Sequence, residues 1–213
     1  MDKLILIIGA TSGIGKLCME TALNRGLTVR AFARSADTLA EHPELELMAG
    51  DALNADDIAK ALDGVRAVVV ALGIRERVAM LWDEKTLFSR STEILLAEMQ
   101  KTDVSRLLVV TGFGAGRSRS AMSLLERLGH NAVLGRVYAD KKRQEAMIMA
   151  SPLDWTIVRP VILTNRPASG KLKVLEDPSS WRNGLVARAD VAAYLVDAAE
   201  QNLHVQKDVV LTR

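Results

Sequence analysis

The chain's 213 residues are 49% hydrophobic and 25% charged, with 28 basic against 26 acidic side chains and a formal net charge of +2. This is an ordinary globular mixture, and so small a basic excess does not imply nucleic acid or a membrane surface as the main partner, so neither is expected. The single cysteine, Cys18, excludes an intramolecular disulfide, and His42, His130 and His204 lie scattered without ligand spacing, so no metal site is expected.

The length suits one domain, and a chain of this size buries roughly 70% of its unfolded surface without needing staples. No apolar run is long enough to span a bilayer, and Asp2 and Lys3 lead straight into a strand-like run, so a cytoplasmic location is expected. Residues 3–8 form a continuous apolar run ending at Gly9, the pattern of a strand buried on both faces. A helix is predicted over 14–25, with Gly26 as its stop. Strands are predicted over 28–33 and 45–49, and a helix over 54–62 with Asn54 as N-cap. A fourth strand, 66–72, precedes a long amphipathic helix over 85–101, and a fifth strand covers 105–110. A helix over 138–150 halts before Pro152, a sixth strand covers 155–158, and a helix over 190–200 and a strand over 208–212 close the chain. Strands alternating with helices predict an α/β fold: a doubly wound parallel sheet with flanking helices, in a single domain spanning 1–213. Segments 112–135 and 160–184 are the least regular and are expected to overhang the carboxyl ends of the strands, where such sheets bind ligands.

The strongest motif is Gly9-Ala10-Thr11-Ser12-Gly13-Ile14-Gly15, set between a buried strand and a helix. Gly9 permits the tight turn, Gly13 lets backbone approach a pyrophosphate, and Gly15 lets the helix pack close to the sheet. Free amides at the helix start attract the phosphates, with hydroxyls from Thr11 and Ser12 in support. The context predicts a Rossmann-type dinucleotide site. The second strand ends Phe32-Ala33-Arg34-Ser35, with no acid to hold ribose hydroxyls. Arg34 is placed to pair with a 2′-phosphate, which favours NADP(H) over NAD(H); Arg30 is a second candidate. Asp51 can accept from the adenine amino group with Ala52 and Leu53 flanking the ring, or cap the following helix. Ala71, Leu72 and Gly73 leave room for a cofactor ribose.

With Val109-Val110-Thr111-Gly112-Phe113-Gly114-Ala115-Gly116, Asp154-Trp155-Thr156-Ile157-Val158-Arg159-Pro160 and Ala189-Asp190-Val191-Ala192 added, the chain resembles the short-chain dehydrogenase/reductase superfamily. It is most similar to its compact atypical branch of biliverdin-IX-beta/flavin reductase-like and NmrA-like proteins. Ser12 departs from the glycine that atypical members usually carry after the turn's threonine. The resemblance implies that Tyr138 donates a proton to a carbonyl while Lys142, one helical turn on, lowers the tyrosine pKa and holds the nicotinamide ribose. It implies that Thr111 polarises that carbonyl, and that Pro160, Val161 and Ile162 line the pocket near the nicotinamide. The string from Tyr138 to Glu145 also reads as a charged, solvated helix face, and without Tyr138 a flavin or quinone could still be reduced. Arg117 and Arg119 read as keeping a lid soluble rather than clamping an acidic substrate, and Trp181 as either a stacking surface or a partly exposed anchor.

The function expected is an NADPH-dependent reductase of a small carbonyl, flavin, quinone or similar planar acceptor, with a small molecule as its partner and either a monomeric or a homodimeric state. The alternative is a redox sensor that binds NADP(H) and acts through a protein partner. An epimerase or dehydratase on nucleotide-linked sugars is disfavoured, because the short C-terminal part leaves little room for a substrate domain.

Overall fold

A computed structural model describes residues 4–73, 86–122 and 124–213, with side chains left out over 124–136. The elements are β1 (Ile5–Ile8), α1 (Gly13–Asn24), β2 (Val29–Ala33), β3 (Leu45–Ala49), α2 (Ala55–Leu62), β4 (Ala67–Val70), α3 (Leu87–Met99), β5 (Arg106–Val110), α4 (Leu124–Ala150), β6 (Asp154–Pro160), β7 (Ile162–Thr164), β8 (Lys173–Leu175), β9 (Leu185–Ala187), α5 (Arg188–Gln201) and β10 (Lys207–Thr212). Eight strands form one sheet in the order β3-β2-β1-β4-β5-β6-β10-β8, and β7 pairs with β9 beside it.

All four residues of β1 are buried because β2 and β4 flank it in parallel register and helices cover both faces. The period of two divides them. Ile5 and Ile7 join Cys18, Ala22, Leu195 and Ala199 beneath α1 and α5. Leu6 and Ile8 join Ile58, Leu95, Met99 and Ile148 beneath α2, α3 and α4. Asn54 caps α2 as expected, its side chain accepting from the amides of Asp56 and Asp57. The chain is thus a Rossmann-type α/β domain whose strands end together along one edge.

Three expectations are corrected. The helix expected over 138–150 runs over Leu124–Ala150, so much of the segment expected to be irregular is helical. Gly129 and Gly135 read as punctuation, yet a glycine costs only about 1 kcal/mol against alanine inside a helix, which the remaining turns can absorb. The second irregular segment contains β7, β8 and β9, each of three residues and too short for an alternation to register. Of these, β8 runs antiparallel to β10, so the sheet is parallel except at that edge. Lys3 and Lys85, expected at the starts of a strand and a helix, lie outside the described residues.

Candidate functional site

A cleft of about 380 Å³ opens at the carboxyl ends of β1–β4. Gly9, Thr11, Ser12, Arg34, Asp51, Ala52, Leu53, Ala71, Leu72 and Gly73 line it, all of them expected from the sequence. Ile8, Phe32, Ala33, Ser35, Gly50 and Leu87 line it as well. Leu87 was missed because it begins α3, far along the chain, and no local motif marks it.

The glycine turn fits a diphosphate on three counts. A Cβ on Gly15 would lie 2.1 Å from the Gly9 carbonyl oxygen, so only glycine lets α1 start against the turn. Gly13 has φ +58°, and a Cβ there would meet nothing within 4 Å, which leaves room over the backbone for a ligand atom. Ser12 does not cap α1 through its side chain, and the first turn carries no acid, so the amides and the positive helix end stay available to an anion. Gly13, Ile14 and Gly15 are not among the cleft's lining residues.

Arg34 is exposed at the cleft wall and has no hydrogen bond or ion pair among the described residues. Arg30, the other candidate, is consumed: its Nε donates to Glu46 at 2.7 Å and its Nη1 to the carbonyls of Ala61 and Asp63. Asp51 accepts from the amide of Leu53 with Oδ1, an Asx turn that fixes its carboxylate at the cleft wall while Asn54 does the capping.

At the ends of β5 and β6 the arrangement differs from the expected one. Thr111 is buried, and its hydroxyl donates to Glu145 Oε1 at 2.7 Å. A hydroxyl has one proton, so while this bond holds Thr111 cannot polarise a carbonyl by donation. Lys142 is exposed, whereas its neighbour Lys141 is buried. Lys141 Nζ donates to the Thr111 carbonyl at 2.9 Å and stands 4.2 Å from the centre of the Phe88 ring. Burial pushes the Lys141 ammonium down to about 8, against the charges of Glu145 and Asp140. The sequence carries a signal for which of the two lysines turns inward. Counting back from Ile148, which is fully buried, the 3.6-residue period turns Glu145, Gln144 and Lys141 inward and Lys142 outward.

Tyr138 is half-buried at the end of β5, where a Cβ on Gly112 would come within 3.1 Å of its hydroxyl. Burial and then Glu145 raise its pKa, so it is held as the protonated phenol. The downward pull expected from Lys142 is not among the influences on it.

Beneath lies a buried ionic cluster. Arg159, wholly buried, donates from Nη2 to Glu145 Oε2 at 2.8 Å and from Nη1 to Asp208. Arg117 also reaches Asp208, so it anchors its loop and is not a free solubilising charge. The Trp181 ring lies 5.0 Å from Arg159 and 5.7 Å from Arg117, with its Nε1 donating to the Leu175 carbonyl at 2.9 Å. At 5% exposure Trp181 is interior structure, neither a stacking surface nor a partly exposed anchor. Pro160 and Val161 are buried beyond the cleft wall, whereas Ile162 is 57% exposed. Among the described residues no group of three His, Cys, Asp or Glu is placed to hold a metal ion, and no helix is long and apolar enough to cross a membrane.

Comparison with known proteins agrees with this geometry. An uncharacterised chloroplastic protein of Arabidopsis thaliana is 26% identical over 205 residues, 93% of this chain and 72% of that one. A 3 beta-hydroxysteroid dehydrogenase/Delta 5→4-isomerase of Mycobacterium tuberculosis is 33% identical over 111 residues, 49% of this chain but only 30% of that protein. Among solved structures, the anaerobilin reductase ChuY of Escherichia coli O157:H7 superposes with a TM-score of 0.82 at 26% identity, covering 98% of this chain and 96% of its own. A short-chain dehydrogenase/reductase of Veillonella parvula, solved with NADP, shares the fold at TM-score 0.84 and 16% identity, covering 100% of this chain and 95% of its own. The NAD(P)H-binding family matches residues 9–202, and the chain belongs to that family.

Proposed function

We propose that the protein is an NADPH-dependent reductase of a small planar acceptor: a carbonyl compound, a flavin or a quinone. The observation that carries this reading is the cleft at the glycine turn, lined by Gly9, Thr11, Ser12 and Arg34, with the Tyr138 hydroxyl standing by Gly112 just past the end of the next strand, β5. A reduced nicotinamide dinucleotide supplies hydride, and the chain's part is to bind, orient and protonate. In this reading Arg34 pairs with the 2′-phosphate, Asp51 meets the adenine, and the α1 amides hold the diphosphate. Tyr138 gives its phenolic proton to the acceptor oxygen as hydride arrives. Lys141, with its lowered pKa and its place against the Thr111 carbonyl, is favoured over Lys142 as the lysine nearest the reacting end. The reductase ChuY, similar over nearly the whole chain, supports the class of reaction.

The test is NADPH oxidation by the purified protein against a panel of quinones, flavins and aldehydes. Turnover with at least one acceptor is expected, and Tyr138→Phe should lower kcat on carbonyl acceptors by about a hundredfold. Tight NADPH binding without turnover on the whole panel overturns the reductase reading. The second reading, an NADP(H)-binding redox sensor acting through a protein partner, then gains. It is favoured by the Thr111 proton being spent on Glu145, which leaves the reacting end with few donors. Its mark is a partner affinity that changes between NADPH and NADP+ and is indifferent to Tyr138→Phe.

A further inference from the structure

A second cavity, of about 1120 Å³, lies at the other end of the same sheet edge, between the 164–173 segment, β9 and the first turn of α5. It shares no lining residue with the dinucleotide cleft. Three features set it apart from ordinary surface.

The first is apolar. Among the described residues only two large hydrophobic side chains are exposed, Ile162 at 57% and Leu185 at 50%. They are register partners across β7 and β9, so they stand side by side on one face. Leu185 lines the cavity together with Leu172 and Val186. Scattered exposed apolar residues need no cause, but adjacent ones beside a cavity mark a surface meant to be covered.

The second is charge. Arg166, Lys171 and Lys173 converge on the cavity, and none has a side-chain hydrogen bond or ion pair among the described residues. Several cations elsewhere on the surface are matched, Arg25 with Asp197 and Glu200, Arg30 with Glu46, Lys101 with Glu98, and Lys207 with Glu176, while Arg34, which is free, is the one cation among the described residues lining the dinucleotide cleft; here these three line one cavity.

The third is a loop held in place. The cavity's one acidic side chain, Asp190, is 5% exposed and held by the loop above it. It accepts from the Ser169 amide at 2.8 Å, the Ser169 hydroxyl at 2.8 Å and the Gly170 amide at 3.4 Å. Its oxygens hold the loop that presents the cations, and none of the three cations is hydrogen-bonded to it. Like charges held together by a pinned loop await an anion from outside.

We propose that this cavity binds an amphipathic organic anion, with its apolar body on Leu172, Leu185 and Ile162 and two or more acidic groups reaching Arg166, Lys171 and Lys173. Its occupancy does not depend on which acceptor the protein reduces.

The probe is bis-ANS, a binaphthyl fluorophore bearing two sulfonates, titrated into the full chain saturated with NADP+ so that the dinucleotide cleft is closed to it. Saturable binding is expected, weakened about tenfold by Arg166→Glu/Lys173→Glu and by Leu185→Asp, with a smaller loss in the neutral Arg166→Gln/Lys173→Gln. NADP+ affinity of each variant, measured by calorimetry on the same sample, should stay within about twofold; this reports folding and separates failure here from failure of the dinucleotide reading. Displacement of bis-ANS by dodecanedioate or by dodecyl phosphate identifies the acid as carboxylate or phosphate. Unchanged bis-ANS affinity in the charge-reversed and Leu185 variants, or displacement by neither acid, overturns the proposal.

Discussion

The two ends of the sheet's ligand-binding edge are built on different physical terms. At β1–β4 the cleft is made of backbone: glycines that no Cβ could replace, helix amides left uncapped, and few ionised side chains, of which Arg34 stands free. At β5, β6 and β10 the proposed reacting end rests on side chains from distant parts of the chain: Arg117, Lys141, Glu145, Arg159 and Asp208, most of them buried and tied to one another. The first kind of site needs only the right turn; the second needs the whole fold to be in place before its charges are compensated. Substitutions at the backbone end should therefore act on binding, and substitutions at the ionic end on stability.

The largest effect expected is at Arg159. Replacing it with Leu strands Glu145, which is wholly buried, and leaves Asp208 with Arg117 alone. Removing one partner of a buried pair costs about 3–5 kcal/mol, so chemical denaturation should show a loss of that size. Removing Glu145 and Arg159 together should recover part of it. A loss under about 1 kcal/mol in the single variant would erase the contrast between the two ends.

Arg34→Ala should do the opposite and leave the unfolding midpoint unchanged, because the side chain is exposed and makes no contact of its own. It should weaken NADPH about tenfold, the worth of charge-assisted hydrogen bonds to a phosphate, and leave NADH almost untouched. Calorimetry with both dinucleotides reads the difference. Equal losses for the two would mean that Arg34 does not meet the 2′-phosphate, and the preference for NADPH would lose its residue.

The contrast also explains what the sequence made legible. The glycine turn, Arg34, Asp51 and the Ala71-Leu72-Gly73 strand end lie within a few residues of strand termini, so local pattern placed them at the cleft. The ionic end joins Thr111 to Glu145 and Arg159 to Asp208, across 34 and 49 residues. No spacing rule reaches that far, and a run of charges from Asp140 to Glu145 reads as solvated until a neighbouring element covers it. Lys141 and Lys142 show how narrow the margin is. One residue on a helix is about 100° of rotation, enough to exchange an exposed ammonium for a buried one.

That exchange gives the smallest but most specific prediction. The Lys141 pKa falls from its ordinary 10.5 to about 8 in the fold. Between those values the unfolded chain holds a proton that the folded chain has released, so this group makes stability rise with pH across that window. Below about pH 8 the fold carries a buried ammonium it would rather lose, and stability from this group is at its lowest. Lys141→Met should remove that slope, so the variant gains on the wild type at neutral pH and the advantage shrinks as pH climbs toward 10.5. Unfolding midpoints taken across the window give the slope, and subtracting wild type from variant cancels every other titrating group. Lys142→Met, at an exposed position, should trace the wild-type curve. If Lys142→Met alone weakened NADPH while Lys141→Met left both affinity and slope unchanged, the outward lysine would be the one that serves the cofactor, and the ionic end would be scaffold alone.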